Sequence, residues 1–583
     1  MRPSFSTPKF AAAAVRLFLF FVLGLASFAS AAQEQAIFSR KDIFHPVFAA
    51  NGMVATQEAQ ATRIGVKVLE DGGNAVDAAV AVGFALAVTL PRAGNLGGGG
   101  FMLVHEADSG QTHALDYRER APAASTRNMF LDQKEEVDKN KSRFSRHAAG
   151  VPGTVAGLVL ALERFGTFSL ERVIAPAIRL AQEGIEVSSD LAQSLEASKE
   201  RLTGNKAAAR IFFRPDGTPY RAGDRLVQSD LAWSLKQLAA EGASAFYRGA
   251  IAERVVEDME KNNGPITAAD LSGYRPVLRA PVAGSYRGYE IRSMPPPSSG
   301  GVHLVQILNI LEGFPIAFLG QNSADTIHLM AEAMKLAYAD RSLHLGDPDY
   351  WKVPVEGLTS KRYAADLRRG IRLDRARPSN TIRAGNPLPY ESNETTHFSV
   401  MDRAGNAVSN TYTINFSYGS GIVAEGTGIL LNNEMDDFSA KTGVPNAYGL
   451  IGGEANAIEA GKRPLSSMTP TIVLKDGRPF LATGSPGGSR IITTTLQVIL
   501  NVIDHDMNIA AATAAPRVHH QWLPDELRVE AGLSVDTLDL LMARGHKIVE
   551  KNAMGSTQSV MRVEGGVFGA ADPRRPGALA AGQ

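Results

Sequence analysis

One stretch leaves this chain little freedom. After "DGGN", the run "AVDAAVAVGFALAVTL" puts apolar or small side chains on nearly every face of a helix, so almost no side of it can be left to water. Such a helix must be enclosed. The preceding "ATQEAQATRIGVKVLE" has apolar residues at three and four spacing, and the two segments read as a pair of helices broken at the glycines. A chain of 583 residues with 44% apolar side chains can build the core that such a helix requires, as one large globular unit that two parts could compose.

The rest of the pattern supplies covering layers. "NLGGGGFMLVHE" reads as a glycine-rich turn feeding a strand, and "QTHALDYRERAP" as a strand ending at Pro122. From "AAGVPGTVAGLVLALERFG" to about Lys261 the pattern is mostly helical, with Thr154 and Ser229 as caps near helix starts. "SADTIHLMAEAMKLAYADRSLHLGD" is predicted as a helix capped by Ser323. Residues 347–394 lose apolar periodicity and have the composition of an exposed linker. Beyond them, "THFSVMD", "AVSNTYTIN" and "PTIVLKDGRPFLATG" alternate like strands, with "RAGN" and "KDGR" as hairpin turns and a last helix in "TTTLQVILNVID". Mixed sheets with helices on their faces are the expected architecture.

Charge and cysteine content narrow the chemistry. Lysine plus arginine equals aspartate plus glutamate, 60 against 60, so no bulk charge draws the chain to nucleic acid or to an anionic membrane. Arg2, Lys9 and Arg16 precede "LFLFFVLGLASFA", and "ASA" at residues 29–31 has the small side chains that a signal peptidase needs. Residues 1–31 read as a cleaved secretory signal, too short in its apolar run for a stable membrane anchor, which directs the protein to the periplasm or outside the cell. The chain has no cysteine, so thiol nucleophiles and zinc–thiolate sites are excluded and stability must come from packing. No metal or other cofactor is expected.

The familiar nucleophile arrangements are missing. No G-x-S-x-G elbow occurs, and "NLGGGG" lacks both the Lys-Ser/Thr of a phosphate loop and the spacing of a dinucleotide turn. His519 and His520 are adjacent and lack the i, i+4 spacing of helical zinc ligands, so they read as structural. There remains "NETTHFSV". A threonine hydroxyl is a weak nucleophile unless a base adjoins it, and its own free α-amine can be that base when the threonine begins a chain. Thr395 could do so only if the Glu394–Thr395 bond were cut, and an exposed linker before it would tolerate a cut. On the local pattern alone, Thr395 and Thr396 also fit ordinary β-branched strand positions.

The surrounding motifs choose between these readings. "TTHFSVMDRAGNAVSNTYTINFSYGSGIVAEGTGILLNNEMDDFS", "KRPLSSMTPTIV" and "TGSPGGSRIITT", with "NLGGGGFM", "DYRERAP" and "PPPSSGG" upstream, closely resemble the γ-glutamyltranspeptidases, in order from about Val47 almost to the C-terminus. The resemblance implies an α+β fold, the four-layer αββα sandwich of N-terminal nucleophile hydrolases, formed jointly by a large subunit (32–394) and a small subunit (395–583) after autocleavage. It implies a γ-glutamyltransferase and glutathione hydrolase. Thr395 matches the nucleophile, and the acyl-enzyme passes to water or to an amino acid or dipeptide acceptor.

It also assigns roles to the other residues. Thr413 matches a position facing the nucleophile, Asn415 one facing substrate, and Gly487 with Gly488 the oxyanion hole. Arg118, helped by Ser466 and Ser467, matches the site for the α-carboxylate, and Glu434 with Asp437 the site for the α-ammonium. Glu434 stands where some bacterial relatives have glutamine, which makes the ammonium site more negative. Residues 438–462 resemble the lid loop that some members carry, with Tyr448 its gating tyrosine. A cephalosporin-acylase-like or poly-γ-glutamate-cleaving enzyme with the same threonine is the nearest alternative, and a non-cleaving periplasmic binding protein is one from another class. Arg118, Glu434 and Asp437 presuppose a free α-amino-acid head group and argue against a pure acylase.

Overall fold

The computed structural model describes residues 43–387 and 399–583; the segment read as a signal and the Thr395 position lie outside them. Two helices follow the first strands, α1 (Ala59–Glu70) and α2 (Ala75–Thr89), and every residue of α2 is buried. Its N-terminus is closed by a reciprocal cap in which Asn74 accepts from Val76 and Asp77 N–H while Asp77 accepts from Asn74 N–H. Asp77, the one charge on this helix, also accepts from Thr167 and Phe168, so its burial leaves no lone pair idle.

What encloses α2 is a four-layer stack, and the layers follow from side-chain alternation. One antiparallel sheet has the strand order Leu579–Gly582, Met53–Thr56, Ser399–Met401, Ala407–Thr413, Gly99–His105, Thr112–Tyr117 and Val277–Arg279. The other runs Val47–Ala49, Gly566–Ala571, Gln558–Val563, Arg478–Thr483, Thr471–Lys475, Tyr289–Ser293 and Val282–Tyr286. Successive strand residues point to opposite faces. Phe101 and Leu103 therefore join Met401, Ile472, Leu474 and Val560 in a core between the sheets. Their neighbours Met102 and Val104 join Val400, Val408 and the apolar residues of α2 on the outer face. On the far side, Ile291, Val473 and Leu481 pack with α3 (Gly300–Leu311), α4 (Ala324–His344) and α5 (Arg490–Ile503). The stack is helix, sheet, sheet, helix.

Several local expectations hold. The "RAGN" and "KDGR" hairpins form, pairing Met401 with Ala407 and Lys475 with Arg478. Ser323 caps α4 by accepting from Thr326 N–H. Thr154 is instead the first residue of its helix, capped at Gly153, and Ser229 likewise follows Gln228. The strand in "QTHALDYRERAP" ends at Tyr117, and α5 is followed by further helices at Ile509–Ala514 and Val535–Ala543. The exposed linker is a larger correction. Up to residue 387 the chain forms the helices Val355–Thr359 and Lys361–Arg368 and buries Val355, Leu358, Tyr363 and Ile382. Short helices with few apolar residues carry too little periodicity to be read from sequence.

Both sheets contain strands from before and from after residues 388–398, hydrogen-bonded to one another. Ser399–Met401 and Ala407–Thr413 are flanked by Met53–Thr56 and Gly99–His105 in one, and Thr471–Lys475 pairs with Tyr289–Ser293 in the other. A backbone cut in this interval leaves one folded particle. The pieces are expected to co-elute from a sizing column under native conditions and to part only in denaturant; spontaneous separation in buffer would contradict the interleaving.

Candidate active site

A cavity of about 430 Å³ lies where these elements converge. Its wall contains Arg118, Thr413, Asn415, Glu434, Asp437, Tyr448, Ser466, Ser467, Gly487 and Gly488, every site residue proposed from the sequence except Thr395, which lies outside the described residues. These ten span more than 350 positions of the chain, and only the fold brings them together.

Arg118 sits just past the strand Thr112–Tyr117 and is fully buried. Its Nε donates to Pro464 O at 3.1 Å, its Nη1 to Glu434 Oε1, and its Nη2 to Asp437 Oδ2 at 2.7 Å. Among the described residues, one N–H on each Nη has no hydrogen-bond partner. Glu119 adds a third carboxylate, 3.6 Å from Nη1 and beyond hydrogen-bond reach. Both Glu119 oxygens and Glu434 Oε2 are buried without a hydrogen-bond partner among the described residues. Three acids thus face one guanidinium. Burial pushes the Glu119 carboxyl up to about 7 and those of Glu434 and Asp437 upward as well, while Arg118 pulls each of them down.

The opposite wall is set by glycines. Gly487 and Gly488 have φ of 137° and 59°, and neither backbone N–H donates to a described acceptor. A Cβ on Gly488 would meet the Tyr448 ring at 2.5 Å, so the side chain from the 438–462 loop lies directly on this turn. Tyr448 Oη donates to Asn415 Oδ1 at 2.7 Å, and its ring meets Phe416 edge-on with centroids 5.9 Å apart. Asn415, at φ 71°, spends its amide on Asn433 O, and its backbone N–H donates to Thr413 Oγ1. The "NLGGGG" run serves this wall from behind: a Cβ on Gly98 would fall 1.9 Å from Thr413 O.

Ser466 and Ser467 are held by "PPPSSGG". Ser466 N–H donates to Pro297 O, and Ser466 O accepts from the Ser299 N–H and hydroxyl. Ser467 Oγ accepts from Nη2 of Arg341, a fully enclosed cation whose Nε donates to Ser299 Oγ and which also lines the cavity. Arg341 and Glu119 were not singled out from sequence. Glu119 stood inside the quoted "DYRE"; Arg341 stood in a strong helix pattern, where nothing local marks a buried cation. His519 bonds Thr493 and Gln521, and His520 bonds Asp525, as structural residues would.

Two stacked antiparallel sheets between helical layers, with a polar cavity at the end of a central strand, define the αββα class of N-terminal nucleophile hydrolases. The sequence profile of the Gamma-glutamyltranspeptidase family matches residues 61–582, and the chain belongs to that family. It is 57% identical over 543 residues to the glutathione hydrolase proenzyme of Escherichia coli (strain K12), covering 93% of each chain. A cephalosporin acylase from Bacillus halodurans superposes with a TM-score of 0.83 at 30% identity, covering 94% of this chain and 99% of that one. The γ-glutamyltranspeptidase of Helicobacter pylori superposes with a TM-score of 0.57 at 46% identity, covering 59% of this chain and 97% of that one.

The Glu119 carboxyl gives a pH test. Its ordinary value is 4.5 and burial raises it to about 7, so its contribution to stability is full below 4.5 and is lost as pH rises through 7. Glu119→Gln is expected to melt above the parent at pH 8, with the gap closing toward pH 4.5. Equal melting temperatures at pH 8 would show that the buried carboxyl carries no such strain.

Proposed function

We propose that this cavity binds the α-amino-acid head of a γ-glutamyl donor and that Thr395, freed as a new N-terminus, attacks the γ-carbonyl. As a γ-glutamyltranspeptidase the protein is a γ-glutamyltransferase and glutathione hydrolase. The observation that carries the head-group assignment is Arg118 with two uncommitted N–H groups among three buried carboxylates. A cation at the α-ammonium offsets the excess negative charge, and the free guanidinium N–H groups, with Ser466 and Ser467, receive the α-carboxylate. A plain acyl group offers neither, which favours an amino-acid donor over a pure acylase substrate.

The chemistry then distributes among named atoms. The α-amine of Thr395 takes the hydroxyl proton as Oγ forms the tetrahedral intermediate. The N–H groups of Gly487 and Gly488 stabilise the oxyanion, each such donor contributing about 2.7–4 kcal/mol. Collapse gives a γ-glutamyl-enzyme, which water or an amine acceptor resolves. Thr413, whose Oγ1 accepts from Asn415 N–H on the cavity wall, supports the nucleophile. The large subunit spans 32–394 and the small one 395–583, and residues 1–31 direct the protein to the periplasm or beyond. No helix among the described residues is long and apolar enough to cross a membrane.

Two experiments test this reading. Purified protein is expected to give two bands on a denaturing gel, the smaller beginning TTHFS, and Thr395→Ala to stay uncut. A single full-length band with activity would defeat the mechanism, because its base would not exist. Tyr448, packed on Gly488, closes the acyl-enzyme to water and favours amine acceptors. Tyr448→Ala is accordingly expected to lower the ratio of transfer to glycylglycine over glutamate release by several-fold; an unchanged ratio in the processed variant would remove the gating role.

A further inference from the structure

The wall of the cavity holds further cations besides Arg118 and Arg341. Arg92 and Arg575 both line it, as does Ser417, whose carbonyl accepts from Arg201 Nη2. Arg92 is bound two-fold to Asp190, with Nη2 to Oδ2 at 2.5 Å and Nη1 to Oδ1 at 3.1 Å. The other nearby acid, Asp572, is held by Arg517 at 2.5 Å and by Arg574 at 3.2 Å. Both acids that act on Arg575 are therefore already committed to other arginines. The half-buried Arg575 guanidinium makes no hydrogen bond or ion pair with any described residue. Arg341 and Arg490, the other wall cations with no ion pair among the described residues, differ in being anchored: Arg341 donates to the hydroxyls of Ser299 and Ser467, and Arg490 Nε donates to Gly487 O and braces the glycine turn.

A guanidinium kept partly out of water with no counterion among the described residues is poised for an anion from outside the protein, and its planar fork matches a carboxylate. We propose that Arg575 binds the C-terminal carboxylate of the peptide on the far side of the scissile bond: the leaving peptide of the donor and, by microscopic reversibility, the acceptor peptide that enters the same place. This subsite rests on the γ-glutamyl reading of the cavity. It takes short peptides and amino acids with a free α-carboxylate and gives nothing to a leaving group that lacks one. Acylation and deacylation are unchanged in their bonds and protons; Arg575 holds the nucleophile or leaving group by its far end.

The experiment compares two donors on the processed, two-subunit enzyme. Glutathione leaves a dipeptide carboxylate, whereas γ-glutamyl-p-nitroanilide leaves an uncharged aniline. Arg575→Gln is expected to shift the ratio of their kcat/KM values toward the anilide by about tenfold, mainly through the KM for glutathione, and Arg575→Lys to recover most of that shift. The KM for glycylglycine as acceptor should rise in parallel, and that for glycylglycinamide much less. The unmodified enzyme supplies an independent arm, in which glutathione amidated at its glycine carboxylate should be about tenfold poorer than glutathione. Equal losses on both donors, or full activity on the amidated peptide, would overturn the Arg575 assignment alone. Failure of the unmodified enzyme on both glutathione and the anilide would overturn the γ-glutamyl reading and the subsite with it.

Discussion

The strand Ala407–Thr413 is the constraint on which the rest of the structure depends. It belongs to the second part of the chain but lies between Ser399–Met401 and Gly99–His105. Its side chains serve both cores, with Val408 toward α2 and Ala407 toward the opposite sheet. Its last residue, Thr413, enters the cavity, and the next turn carries Asn415 at a positive φ that bends the chain along the wall. A shift of one residue in its register would exchange the two faces and move every one of these groups. The wall of the cavity is thus tied to the packing of the whole sandwich.

The cavity opposes stability in a way the sandwich has to absorb. Stripping water from three carboxylates around one guanidinium is unfavourable, and breaking a buried pair by removing one partner commonly costs about 3–5 kcal/mol. The two Glu119 oxygens, without a hydrogen-bond partner among the described residues, are the sharpest sign of that conflict. Buried charge that local structure does not satisfy is what a ligand site looks like before its ligand arrives. The large apolar clusters on either side of the sheets hold this unfavourable geometry in place.

Much of the fold was legible because its signals are local. The enclosed helix α2 announced itself by having no extended polar face, and the two hairpins by their turn residues. The strand order was not legible, since pairing Met53–Thr56 with Ser399–Met401 joins residues nearly 350 apart. In the site, motif order located ten wall residues, but Arg341 and Arg575 escaped notice because whether a cation has a counterion among the described residues is a fact of three-dimensional packing. The 347–387 segment misled for the opposite reason: its polar composition conceals side chains that dock in a neighbouring groove.

The sandwich is held without a disulfide, for the 583 residues include no cysteine. For an enzyme whose donors and products carry thiols, that absence has a redox meaning. Mixed disulfides form only when a protein thiolate meets an oxidised thiol compound, and this chain offers no such partner. Neither oxidised glutathione nor the cysteinyl peptides released at the site can become attached to it, so its folded state and its turnover are insulated from the thiol–disulfide poise of the medium in which it works.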